Sequence, residues 1–204
     1  MLATNKLMQT PFDCTTLVPR YHEPHRVYHD IRHVHEMHEM AKASGIDEPA
    51  MSWMEAVIWL HDACHDPVAQ HGQNESLSAA LLDGPLGDAF TDEGKTLAHS
   101  AIAASAHHFH DQAGLHPLVE LFLDIDLAGL AGNEDDFKDH TQRVAQEYQR
   151  AGYTREKIIH GHEKFARAML ARERIYYSDW MHRQGEEKAI KNLGRLLQNP
   201  EAFI

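Results

Sequence analysis

The sequence predicts an all-α protein folded as a single domain, and three observations carry that expectation. Pro and Gly gather at punctuation points: "SGIDEP" (44–49), "DGPLGD" (83–88), "AGLHP" (113–117), "AGN" (131–133) and "AGYT" (151–154). Between them the apolar residues recur at helical spacing and β-branched residues are sparse. No repeat, low-complexity tract or linker divides the 204 residues, which suffice for one sizeable core. Helices are expected near residues 27–43, 50–64, 74–82, 90–110, 117–130, 133–150, 154–176 and 184–198 of a domain spanning 1–204.

The first helix maps at about 100° per residue. Ile31, Val34, Met37, Met40 and Ala41 form its apolar stripe, and His33 falls within it. His29 sits one turn earlier on the same side. His35, Glu36, His38 and Glu39 lie toward the wetter side. Taken alone, an inward histidine is as well explained by a satisfied core residue as by a metal ligand.

The second helix, "MSWMEAVIWLHDAC" (51–64), is apolar nearly all round and is expected to be buried. His61 and Asp62 sit at its inner end. An ionised carboxylate there must be paired, hydrogen-bonded or bound to a metal. No Arg or Lys lies nearby in sequence, and a divalent ion suits an adjacent His-Asp pair; a capped or salt-bridged helix end is the alternative. Trp53 and Trp59 are read as core.

The third helix, "NESLSA" (74–79), opens with Asn74 as its expected N-cap. Glu75 in its first turn either belongs to the cap or orients a water or a ligand histidine. Asp66 and His65 lie one turn beyond the His-Asp pair, as proton donors or water-positioning groups, or else as shapers of the loop ending at Pro67. On the alanine-rich fourth helix Ser105 and His108 share a face, and His108 is a candidate substrate or metal contact. His107, His110 and His116 are expected to be solvated. In "VELFLDIDLAGL" (119–130), Asp126 shares its side with Val119, Phe122, Leu123 and Leu130, so it is expected to be the buried acid and the ligand. Asp124 is expected to be solvated or to support a ligand.

Composition excludes several classes. Hydrophobic residues are 43% and charged residues 25%, ordinary for a globular chain. The net charge of −12 argues against a nucleic-acid polymer as partner. A phosphate ester stays admissible, provided local cations draw it in; Arg26, Arg32, Arg143 and Arg167 are the candidates. No apolar run approaches a membrane span, and the opening "MLATNKLMQTPFD" reads as no signal peptide, so a cytoplasmic protein without membrane association is expected. Two cysteines, Cys14 and Cys64, are too few for a disulfide framework. The 18 histidines nearly equal the 19 Lys and Arg together, which directs attention to metal ligands.

Inward His33, then His61-Asp62, then Asp126 give the order H…HD…D. With "YHDIRHV" (28–34), "HDACHDP" (61–67), "NESLSA", "IAASAHH" (102–108), "DIDLAGL" (124–130) and "RVAQEY" (143–148), this ordered set resembles the compact metal-dependent phosphohydrolase group of the HD superfamily over roughly residues 20–195. The resemblance departs at His65, where the group commonly has Tyr, and at Ser105, where it has Thr. The first change alters the pocket wall or adds a ligand; the second keeps a hydroxyl.

The resemblance implies a single HD-type helical bundle holding one divalent ion, or two, on His33, His61, Asp62 and Asp126. Two imidazoles and two carboxylates suit Mn²⁺, Fe²⁺, Co²⁺, Ni²⁺ or Zn²⁺, and Mg²⁺ less well. The implied reaction is hydrolysis of a small phosphate ester, a nucleotide among the candidates, by a metal-activated water. Asp62, Asp66 and Glu75 are the expected catalytic groups, and His29, His65, His108, Arg143 and Arg167 the expected substrate contacts. Alternatives are a di-iron oxygenase on the same fold and a metal-bound module that senses a nucleotide without turnover. A homodimer stays open.

Overall fold

The structure, a computed structural model, describes residues 6–108 and 114–204. The described chain is all-α, as expected. Its helices are α1 (Ile31–Ala43), α2 (Glu48–His61), α3 (Gln73–Ala80), α4 (Asp92–Ser105), α5 (Pro117–Asp126), α6 (Glu134–Arg150), α7 (Arg155–Leu170) and α8 (Asp179–Gln198), with short 3-10 turns between them. No described helix is long and apolar enough to cross a membrane.

Side-chain caps fix most of the starting points. Asp30, Asp47, Thr91, Asn133, Thr154 and Ser178 each accept a hydrogen bond from a backbone N–H in the first turn that follows. The third helix is a correction: Asn74 is not its N-cap. Gly72 takes that place with φ of 77°, and α3 begins at Gln73. The left-handed backbone at Gly72 is open to glycine without steric penalty.

The first helix also starts later than its apolar stripe suggests. Residues 27–29 are not helical because their three amides donate to one carboxylate, Glu147 Oε2, at 2.8, 3.0 and 3.2 Å. A tertiary acceptor competes successfully with the helical ladder there. His29 therefore sits on a capping loop rather than one helical turn before His33. At the other end of the chain α8 begins five residues before the expected 184. The reason is again an acceptor from elsewhere: Asp124 takes the N–H groups of Tyr177 and Ser178 at 2.8 and 2.7 Å.

The buried apolar side chains fall into two clusters. One draws on residues between Leu7 and Ile125 and centres on α2, whose Trp53, Met54, Val57, Ile58 and Leu60 are wholly enclosed. The other draws on Phe137 to Phe203 from α6, α7 and α8. Met40 and Trp180 pack against both.

Candidate metal centre

His61 ends α2 and is 1% exposed. Its Nδ1 donates to Ile58 O one turn back, at 2.8 Å. That bond orients the ring and turns Nε2 inward. Nε2 is buried and has no hydrogen-bond partner, although Asp62 Oδ2 lies 3.1 Å and Asp126 Oδ1 3.7 Å away. Asp62 is the C-cap of α2, and Asp126 is the last residue of α5. Two helix C-termini thus meet at one point, and their partial negative charge adds to the attraction for a cation.

From α1, His33 is 3% exposed and brings Nε2 to 3.1 Å from Asp126 Oδ1 and 4.0 Å from Asp62 Oδ2. Ligand atoms of His33, His61 and Asp62 all lie within 4.8 Å of one another. His108 Nε2 donates to the other Asp126 oxygen at 2.8 Å. Burial opposes ionisation of both acids. His61, with His29, nevertheless holds Asp62 far below the usual carboxylate range, and His108 and His33 do the same for Asp126. Burial likewise opposes a charge on His61, but Asp62 and Asp126 outweigh it and lift its pKa to about 9. A mixed N/O donor set, deprotonated acids and an unpartnered inward imidazole nitrogen are what a divalent transition-metal ion requires.

A second carboxylate hub stands beside this centre. Glu147 is fully buried; its Oε2 takes the three amides of residues 27–29, and its Oε1 accepts from His29 Nδ1 at 2.6 Å and from His65 Nε2 at 2.8 Å. Burial opposes its charge, but the two imidazoles hold it well below the usual range. The imidazoles themselves divide. Burial works against protonation of His29, yet Glu147 raises its pKa, whereas burial and the neighbouring His29 lower that of His65. His65 is thus a neutral donor to Glu147, with its side chain 7% exposed.

The arginines expected to bind phosphate do other work. Arg143 is 6% exposed and donates to Val27 O, Tyr28 O and Asp30 Oδ1, tying α6 to the capping loop. Arg26 is also buried; it donates to Asp62 O at 2.8 Å and His29 O at 3.0 Å, so it fixes the backbone of two site residues. Arg32 folds onto Asp30 and Val27 O. Arg167 is exposed on α7, 4.0 Å from Glu163. Asp66 is exposed too, and its carboxylate accepts from Val68 N at 3.0 Å. The "NESLSA" element braces the loop after the His-Asp pair: Asn74 exchanges hydrogen bonds with the Asp66 backbone, and Ser78 Oγ accepts from Cys64 N.

The two acids of α5 reverse the expected burial. Asp124 is 1% exposed, held by Tyr177 and Ser178, and burial pushes its pKa up to about 6 against those hydrogen bonds. Asp126 is 14% exposed at the metal centre. The helical face was read correctly for Asp126, but the α7–α8 loop covers the opposite face and encloses Asp124.

A cavity of about 720 Å³ opens beside the centre. His29, Glu75, Ser105, His108 and Asp126 line it; Asp66, His65, Arg143 and Arg167 do not. Its cations are lysines, Lys157 and Lys164 of α7, and its wall includes Tyr148 and His162. Sequence reasoning passed over these and Glu147; the "RVAQEY" fragment was the one signal that pointed toward Glu147 and Tyr148. His107 and His116 are exposed, and His116 caps α5; His110 lies outside the described residues. Comparison with protein-family models, curated proteins and solved structures finds no match to the chain.

Proposed function

We propose that this chain is a metal-dependent phosphohydrolase of the HD type, acting on a small phosphate ester. The observation that carries the reading is the inward Nε2 of His61, unpartnered beside two carboxylates, one of which, Asp126, lines a cavity large enough for a small molecule. His33, His61, Asp62 and Asp126 would hold the ion. When bound, a divalent ion supplies Lewis-acid polarisation of a phosphoryl oxygen and acidifies water.

The chain's own groups do the rest. His108 fixes the second oxygen of Asp126 and so its orientation. His29, anchored through Nδ1 by Glu147, lines the cavity and offers its remaining ring nitrogen to an ester oxygen. Glu75 lines it from the first turn of α3, within reach of water entering the site. Lys157 and Lys164 give an otherwise acidic molecule a local attraction for an anion. Cys14 and Cys64 are free thiols, which suits a reducing cytoplasm.

The test is metal analysis of purified protein coupled to phosphate release from a panel of esters, repeated with His61→Ala and Asp126→Asn. Loss of both metal and turnover in the variants is expected. Undiminished metal content in both variants overturns the ligand set.

A second reading is an oxygenase built on two irons. The His29, His65 and Glu147 ligand atoms also lie within 4.8 Å of one another, beside the first group. Dioxygen uptake on loading with ferrous iron favours it; anaerobic phosphate release favours the hydrolase.

A further inference from the structure

Of the four proposed metal ligands, Asp126 lines the cavity, whereas His33, His61 and Asp62 do not. Much of the remaining lining comes from α6 and α7, where Val144 and Tyr148 of one helix and Ile158, His162 and Phe165 of the other face the same space. On α7 these recur at i, i+4 and i+7, one helical face. This part of the lining is apolar and aromatic, with the His162 imidazole set into it; His140 and Thr141 of α6 and Lys157 and Lys164 of α7 also reach the cavity.

That imidazole is unusual. Both ring nitrogens of His162 are screened from solvent, and neither has a hydrogen-bond partner. Burial pushes its pKa down to about 4, so at neutral pH it presents one N–H donor and one lone pair. Leaving buried polar atoms unsatisfied costs about 1–3 kcal/mol each, a cost removed when the ring turns and brings a nitrogen to a ligand atom in the cavity. A cavity of about 720 Å³ lies within the range of small-molecule sites, which combine apolar walls with a few fixed polar groups. A short polyol phosphate would leave this wall against water; a ring system would cover it.

We propose that the α6–α7 wall binds the alcohol part of the substrate, and that this part is an aromatic or heteroaromatic ring system with a polar atom that hydrogen-bonds His162. The inference rests on the phosphohydrolase reading for the metal end, and the test separates the two.

Calorimetry with non-hydrolysable probes does so: methylphosphonate, 2-naphthylmethylphosphonate, the set of quinolinylmethylphosphonates, and 2-naphthylmethanol, each with and without Mn²⁺. The naphthyl phosphonate is expected to bind at least about tenfold tighter than methylphosphonate, through burial of the ring. At least one quinolinyl isomer should gain about fivefold more, and His162→Leu should erase that gain while keeping naphthyl binding. Val144→Phe, which fills the wall, should remove the naphthyl preference and leave methylphosphonate unchanged. Equal binding of naphthyl and methyl probes, or a quinolinyl gain indifferent to His162, overturns the proposal. If 2-naphthylmethanol binds and responds to Val144→Phe while no phosphonate depends on Mn²⁺, the wall assignment stands and the phosphohydrolase reading falls.

Discussion

Glu147 and His29, 118 residues apart, share a 2.6 Å hydrogen bond between Oε1 and Nδ1. Through it α6 sets the position of an imidazole that lines the cavity, and the other Glu147 oxygen fixes the three amides preceding α1. The carboxylate is buried, ionised and saturated with donors. Glu147→Gln removes the charge and sets an amide N–H against donor groups. A destabilisation of about 3–5 kcal/mol is expected, since an interrupted buried charge network leaves its partners uncompensated. Urea unfolding measures it; a loss below about 1 kcal/mol would mean that the hub contributes little.

Metal should stabilise the fold. An ion that binds only the native state adds about 2.7 kcal/mol at a free concentration a hundredfold above its dissociation constant. The thermal midpoint should rise with added Mn²⁺ and fall on chelation. In Asp126→Asn, which keeps the shape but removes the charge, the response should disappear. An identical Mn²⁺ response in the variant argues for binding elsewhere.

Acid sensitivity has a contribution from His162. Its folded pKa of about 4 lies below the ordinary value near 6.5, so between those values the unfolded chain binds a proton that the folded chain excludes. This contribution is present above pH 6.5 and is lost as pH falls toward 4, by about 3 kcal/mol in all. His162→Leu should flatten the stability curve over that window. Parallel wild-type and variant curves in urea melts from pH 4 to 7 would contradict the shift.

Asp124 holds the turn that leads into α8. Replacement by Ala strands two partly buried amides, those of Tyr177 and Ser178, at up to about 1–3 kcal/mol each. Stability should drop while metal content at saturating Mn²⁺ holds. Loss of bound metal in a folded Asp124→Ala protein would show that the two acids of α5 had been assigned the wrong way round.

The helices were legible because their signals are local. Asp30, Asp47, Thr91, Asn133, Thr154 and Ser178 are all visible in the sequence as cap residues, although Ser178 falls in the gap between the expected helices 154–176 and 184–198. What escaped depends on contacts across long separations. Residues 27–29 carry a helical pattern, and only the arrival of Glu147 draws their amides out of it. Asp124 reads as the wetter acid until the α7–α8 loop closes over it. At the site, the apolar helix ending in His61-Asp62 announced itself, because a charge pair at the end of a buried helix demands a partner. Arg143 and Arg167 looked equivalent as phosphate donors, yet one is enclosed by carbonyl acceptors and the other faces water. Lys157 and His162 carry no motif; they matter only because α6 and α7 leave a hollow between them.

All four proposed ligands lie between residues 33 and 126, in the stretch that builds the first apolar cluster, while α6 and α7 of the second cluster supply much of the lining of the hollow. On the proposed function, grip on the ion and choice of cargo would therefore be written in separate lengths of the gene. Drift in the latter half could retarget such a catalyst while its inorganic heart stayed untouched, so long as the stitches from Glu147 and Arg143 to the loop before α1 were preserved.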